Sequence, residues 1–164
     1  SSWATTGKPA GRERNYITSL FIQPEKMEQH NLKLEAKFQE IRDTEVRFEE
    51  YNTTDAEYIF VAYGLSARIC QKAMDLARDK GLKVGLLRPI TLYPYPYDRL
   101  LELADQVKMM LCVELNSGQM VEDVQLAVKG KIPVTFFGKM GGMMPTPEEI
   151  LHHLENLIQP YYAN

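Results

Sequence analysis

Three short and nearly unbroken apolar runs constrain this chain more than any other feature: residues 58–63 (YIFVAY), 83–87 (KVGLL) and 108–115 (KMMLCVEL). Runs of this length with little polar alternation belong to strands buried on both faces, where helices cover both sides of a mostly parallel sheet. The intervening segments have helical spacing. Ala67, Cys70, Ala73, Met74 and Ala77 share one face ahead of Gly81, and Leu100, Leu101, Leu103, Ala104 and Val107 recur within residues 98–107. Two buried strands joined by one helix of about fifteen residues form a right-handed parallel βαβ unit, so the central sheet is expected to be parallel.

The other elements extend this pattern. Residues 45–51 alternate, with Val46, Phe48 and Glu50 on one face and Arg47, Glu49 and Tyr51 on the other, as in an exposed strand. Asn52 to Asp55 reads as a turn, and Ser66 as the cap of the first βαβ helix. Met120, Val121, Val124 and Val128 line a helix capped by the stretch Asn116 to Gln119 and stopped at Gly130. Ile132 to Phe137 is a strand whose Pro133 points to a sheet edge. Thr146-Pro147-Glu148-Glu149 is a capping box opening a last helix on Ile150, Leu151, Leu154, Leu157 and Ile158. Ahead of all this, residues 1–23 form an extended arm with Trp3 and the apolar patch Tyr16, Ile17, Leu20, Phe21 and Ile22. Residues 24–44 form a linker helix with Met27, Leu34, Phe38 and Ile41 on one stripe, and residues 45–164 form the α/β domain. The length of 164 residues suits one core. The chain opens at Ser1 on a polar stretch and reads as the tail of something longer.

The segment LLRPITLYPYP (86–96) shapes one end of the domain, because Pro89, Pro94 and Pro96 stop the strand and are expected to hold the chain extended. Tyr93, Tyr95 and Tyr97 are spaced by two and can line one side. Two readings stand for the rings: they pack on their own domain, or they meet another domain or subunit. At the carboxyl ends of the buried strands lie Tyr63, Gly64, Ser66, Arg88, Glu114, Asn116 and Gln119, and in an open parallel sheet these ends share one rim where ligands bind. With Tyr93 and Tyr95 they make a candidate interface or ligand rim. The plainer reading pairs Arg88 with Glu114 as a structural ion pair.

Chemistry announces itself weakly. His152 and His153 are adjacent on a helix and point to different sides, so they cannot chelate one metal, and His30 reads as solvated. Cys70 and Cys112 fall inside apolar elements, which points to a reduced, cytoplasmic chain. No apolar run approaches the ~20 residues of a membrane helix, and a net charge of −3 with scattered cations excludes a nucleic-acid footprint. The loop GKMGGMMPTP (138–147) lacks a phosphate-binding fingerprint and reads as flexible contact surface.

The runs YIFVAYGLSARI (58–69), LLRPITLYPYP (86–96), VELNSGQMVEDVQLAV (113–128) and GKMGGMMPTPEE (138–149) closely resemble the C-terminal part of the α subunit of 2-oxoacid:ferredoxin oxidoreductases. The 2-oxoisovalerate (3-methyl-2-oxobutanoate) type is nearest, and the resemblance extends through residues 3–38. It implies a transketolase C-terminal-domain-like fold: a three-layer α/β/α sandwich on a five-stranded mixed, mostly parallel sheet whose first strand is antiparallel. It also implies oxidative decarboxylation of a 2-oxoacid by thiamine diphosphate with magnesium, acyl transfer to coenzyme A, and electron transfer through iron–sulfur clusters to ferredoxin, the hard chemistry belonging to the cofactor. The family places thiamine diphosphate between an N-terminal domain, which has no counterpart here, and a β subunit, with the clusters on another chain. This chain is therefore expected to bind none of these cofactors, to hold no catalytic or metal-ligating residue, and to be inert alone. Its expected partners are the N-terminal domain, the other subunits and a possible second copy, with ferredoxin and coenzyme A serving the complex.

Two functions follow. The first is an assembly domain of the oxidoreductase whose rim and arm dock on other domains. The second is an autonomous α/β module that binds a small anion or nucleotide at the same rim.

Overall fold

Residues 7, 8, 10–14, 16 and 19–158 are described by a computed structural model of the chain. Trp3 and Ile17 of the expected arm lie outside the described residues. The chain divides into two compact units, Ser1–Glu40 and Ile41–Asn164. In the first, the Arg12 guanidinium donates to the Gly7 carbonyl at 3.1 Å, and the Phe21 and His30 rings stack with centroids 4.6 Å apart. Helix α1 (Pro24–Thr44) starts there and runs on into the second unit, and none of its residues is buried.

The second unit carries strands β1 (Phe48–Tyr51), β2 (Tyr58–Val61), β3 (Val84–Pro89), β4 (Met109–Glu114) and β5 (Val134–Gly138). They alternate with helices α2 (Gly64–Asp79), α3 (Tyr97–Ala104), α4 (Met120–Val128) and α5 (Pro147–Ile158) in the order expected from the sequence. The sheet order is β1-β3-β2-β4-β5, with β1 antiparallel to β3 and every other pairing parallel. Strand side chains alternate between two cores. Phe60, Leu86, Leu111 and Val113 pack with α2 and α5, whereas Ile59, Leu87, Met110 and Cys112 pack with α3 and α4. This is the expected three-layer α/β/α sandwich, and β5 is an edge strand with Pro133 just before it.

Local signals explain most boundaries. At the end of α2 the Leu82 N–H donates to the Ala77 carbonyl at 3.0 Å and the Gly81 N–H to Arg78 at 2.9 Å, a Schellman closure that requires Gly81 at φ 84°. At α5 the capping box forms in both directions, Thr146 N–H to Glu149 at 2.9 Å and Glu149 N–H to Thr146 Oγ1 at 3.2 Å.

Several expectations are corrected. Helix α2 begins at Gly64, so Ser66 is buried inside its first turn and is not its cap. Strand β3 does stop at Pro89, but it includes Arg88 and Pro89 instead of ending at Leu87, because β1 adds to that edge and pairs Glu49 with Arg88 and Phe48 with Pro89. The segment 90–96 is bent, not extended: the Ile90 and Thr91 N–H groups donate to the Arg47 carbonyl, and the Thr91 hydroxyl donates to the Pro94 carbonyl at 2.9 Å. Helix α3 stops at Ala104, three residues before the expected Val107.

One interaction ties β1 to α3. The Arg99 guanidinium grips the Glu50 carboxylate through Nε and Nη2, and Thr53 donates to the same carboxylate. Arg99 hydrogen bonding holds the Glu50 carboxyl below its ordinary value of 4.5. A depressed folded-state value contributes stability that is present above the unfolded value and lost as pH falls through the folded one. Arg99→Met is therefore expected to destabilise the domain near neutral pH by about 1 kcal/mol, with the gap to wild type narrowing below about pH 4.5. Urea unfolding at a series of pH values measures this, and a pH-independent gap would assign the loss to packing alone.

Candidate functional site

The carboxyl ends of β2, β3, β4 and β5 form one rim, as inferred, but its polar residues are arranged differently from the expectation. Glu114 ends β4 fully buried on the α3/α4 side. Its carboxylate accepts the backbone N–H groups of Met120 at 2.9 Å, Val121 at 3.0 Å and Gln119 at 3.3 Å, and the Asn116 amide at 3.0 Å. Three otherwise orphaned donors at the start of α4 thus converge on one anion, which the positive end of the helix also favours. Asn116 Oδ1 accepts the Gly118 N–H at 2.7 Å and shapes the turn. The cap of α4 is therefore Glu114, and Gln119, which sits at the cap position, supplies no side-chain bond there. Gly138 is required beside this turn because a Cβ there would collide with the Asn116 carbonyl oxygen and the Phe136 ring.

Arg88 does not pair with Glu114. Leu86 and Arg88 point to the α2/α5 face, Cys112 and Glu114 to the other, so the sheet stands between them. Arg88 instead donates to Glu49 on β1 at 2.9 Å, and the Tyr51 hydroxyl donates to the same carboxylate at 2.8 Å. That carboxylate raises the Tyr51 hydroxyl above its ordinary range.

The tyrosines separate as well. Tyr95 is 5% exposed and packs in the α3/α4 core, with its ring edge-on to Tyr97 at 5.3 Å, while Tyr93 is 59% exposed. The Tyr95 hydroxyl is buried without a hydrogen-bond partner, and burial pushes its ionisation up. The Tyr97 hydroxyl donates to Asp123 on α4, which pushes it up to about 12. Tyr93, Pro94 and Tyr97 line a cleft of about 870 Å³ with Val46, Phe48 and Leu92. Tyr63 is half-buried against the α3/α4 core, and Gly64 lies exposed at φ 57°.

The rim carries an apolar set that periodicity did not single out: Leu65 after β2, Ile90 and Leu92 with Tyr93 after β3, Leu115 after β4, and Met140, Met143 and Met144 after β5, all exposed. Every one falls in a loop or first helical turn where no repeat distinguishes a solvated apolar residue from a packed one. Only the Met-rich composition of residues 138–147 hinted at it. Elsewhere, burial raises the Cys70 and Cys112 thiols and lowers His153, whose ring lies 4.9 Å from Phe137. Among the described residues no group of three or more His, Cys, Asp or Glu could hold a metal ion, and no helix is long and apolar enough to cross a membrane.

A family model described as pyruvate:ferredoxin oxidoreductase core domain II matches residues 56–150. The chain is 42% identical over 159 residues to the ketoisovalerate oxidoreductase subunit VorB of Methanothermobacter thermautotrophicus, covering 96% of this chain and 44% of that relative. It is 34% identical over 129 residues to the 2-oxoglutarate synthase subunit KorA of Methanocaldococcus jannaschii, covering 79% of this chain and 34% of the relative. Among solved structures it superposes on the 2-oxoglutarate:ferredoxin oxidoreductase from Magnetococcus marinus, which has 2-oxoglutarate, coenzyme A and succinyl-CoA bound. The TM-score is 0.69 at 22% identity, over 85% of this chain and 24% of that one. The chain thus spans less than half the length of the curated relatives it matches.

Proposed function

The chain belongs to the core domain II family of the pyruvate:ferredoxin oxidoreductases, and on that premise we propose that it serves as the C-terminal domain of the α subunit of a cytoplasmic, branched-chain 2-oxoacid:ferredoxin oxidoreductase. The observation that carries the substrate class is the step in likeness: 42% identity over 96% of the chain to a ketoisovalerate oxidoreductase subunit, against 34% over 79% to a 2-oxoglutarate synthase subunit. The reaction would be oxidative decarboxylation to an acyl-coenzyme A, with thiamine diphosphate and magnesium in parts of the enzyme outside this chain, and iron–sulfur clusters on a further subunit passing electrons to ferredoxin.

This chain's own residues do not fit those groups. Cys70 and Cys112 lie on opposite faces of the sheet and cannot ligate one cluster, and the described acids and histidines form no metal cage. Glu114, Asn116 and Arg88 each hold backbone or a neighbouring strand in place. The domain therefore contributes frame and contact surface. The pairing of Arg88 with Glu49 and of Lys139 with Glu149 weighs against an anion-binding module, and Arg88 Nε is the one guanidinium nitrogen there that is buried without a partner.

Assembly of the chain with the remaining domain and subunits of its own enzyme tests the proposal, with 2-oxoacid-dependent dye reduction as readout. Turnover should favour 3-methyl-2-oxobutanoate over 2-oxoglutarate and be nil with the chain alone; preference for 2-oxoglutarate would overturn the substrate class. Thiamine diphosphate with magnesium should leave the thermal midpoint of the isolated chain unchanged, because a ligand stabilises only a fold that binds it. A saturable upward shift would place a cofactor site in this domain.

A further inference from the structure

We infer that the tyrosine–proline cleft is the docking site for an arginine side chain, presented on a short apolar segment of the enzyme outside this chain. This rests on the reading of the domain as contact surface and adds the chemistry of the partner. The cleft of about 870 Å³ has two unlike walls. Val46, Phe48, Leu92 and Tyr93 form the first, and all four are exposed to solvent. The second is charged and consists of Arg42, Asp43, Asp98, Arg99, Glu102 and Asp123, two cations against four carboxylates.

Hydrogen bonding decides how much of that charge is available. Arg99 is spent within the fold, on Glu50 through Nε and Nη2 and on Glu102 through Nη1. Arg42 and Asp43 offset each other in net charge. The surplus is therefore negative, and it sits on the first turns of α3 and α4, at Asp98 and Asp123. Among the described residues Asp98 has no partner, and Asp123 accepts only the neutral Tyr97 hydroxyl. Such a wall repels a phosphate-bearing or acidic partner and draws a cation.

The aromatic rings select the kind of cation. Asp98 follows Tyr97 in the chain and Asp123 binds its hydroxyl, so the surplus acids flank a ring that is 37% exposed. A planar, weakly hydrated guanidinium stacks on such a ring and still turns an edge to a carboxylate, which an ammonium group cannot do. A metal ion has no adequate set of ligands among the described residues. The apolar wall selects the rest of the occupant. A free polyamine would offset the acids and leave Phe48, Leu92 and Tyr93 in water. An arginine flanked by apolar residues covers both walls, its methylene stem lying along the rings, and arginine is a frequent anchor of such contacts. Because the chain spans 44% of the ketoisovalerate relative, the rest of the enzyme is the source of that segment.

Titration of the chain with the peptide acetyl-Leu-Arg-Leu-amide, followed by amide NMR shifts, tests the chemistry. Saturable shifts are expected at residues 92–99 and 121–124, with a dissociation constant on the order of 1 mM. The lysine peptide should bind about threefold more weakly, and the citrulline peptide, which keeps the shape and loses the charge, should not bind. The double variant Asp98→Asn, Asp123→Asn should weaken binding about tenfold, and asparagine keeps an acceptor for Tyr97. Glu122→Gln, on α4 but outside the cleft, should leave binding unchanged. No saturable response, equal binding of the arginine and citrulline peptides, or shifts confined to another surface would each overturn the inference. In the assembled enzyme, photoreactive p-benzoylphenylalanine in place of Tyr93 should cross-link to an arginine-bearing segment outside this chain, and a cross-link to a second copy of this chain would overturn it. Oxoacid turnover by the same assembly is measured separately, so a cleft that takes no arginine leaves the assignment of the reaction to its own assay.

Discussion

Replacing Glu114 by alanine is expected to destabilise the domain by about 3–5 kcal/mol, lowering the thermal midpoint by roughly 10 °C. The buried carboxylate gathers the N–H groups of Gln119, Met120 and Val121 and the amide of Asn116. Alanine removes the acceptor and leaves the donors inside the protein, where each unmatched group costs about 1–3 kcal/mol. Asn116→Ala removes only the turn bond to Gly118 and a donor to Glu114, and should cost about 1 kcal/mol. Denaturant unfolding of both variants gives the comparison. Equal losses would mean that the turn, and not the carboxylate, holds the start of α4.

Tyr95→Ala is expected to cost about 3–5 kcal/mol in the isolated chain, the range for emptying a buried aromatic site. The ring belongs to the apolar cluster on the α3/α4 side of the sheet, which also includes Leu87, Leu100 and Cys112. Tyr95→Phe should be neutral or slightly stabilising, because the hydroxyl it deletes is buried without a partner. This replaces the expectation of an interface role for Tyr95: the residue that meets solvent is Tyr93, and Tyr93→Ala should leave the stability of the monomer within about 0.5 kcal/mol. A large loss from Tyr95→Phe would reveal a bond to the hydroxyl, such as an ordered water.

The order of elements, the parallel core, the edge position of β5 and the α5 capping box were legible in the sequence by itself. Each rests on local signals: apolar runs, helical spacing, Gly81 and the Thr146–Glu149 pair act over a few residues, and a family resemblance extended them to the whole sandwich. Rim residues could be named for the same reason, since they follow the ends of strands. What they do could not be. Whether Arg88 meets Glu114 depends on the side of the sheet to which each points, and a shift of one residue in a strand reverses that side. The tertiary structure alone placed them on opposite faces, brought β1 back beside β3 to supply Glu49, and curled residues 90–96 so that Tyr95 turned inward while Tyr93 stayed out. These outcomes are set by pairings between residues about forty positions apart in the chain, and no local periodicity encodes them.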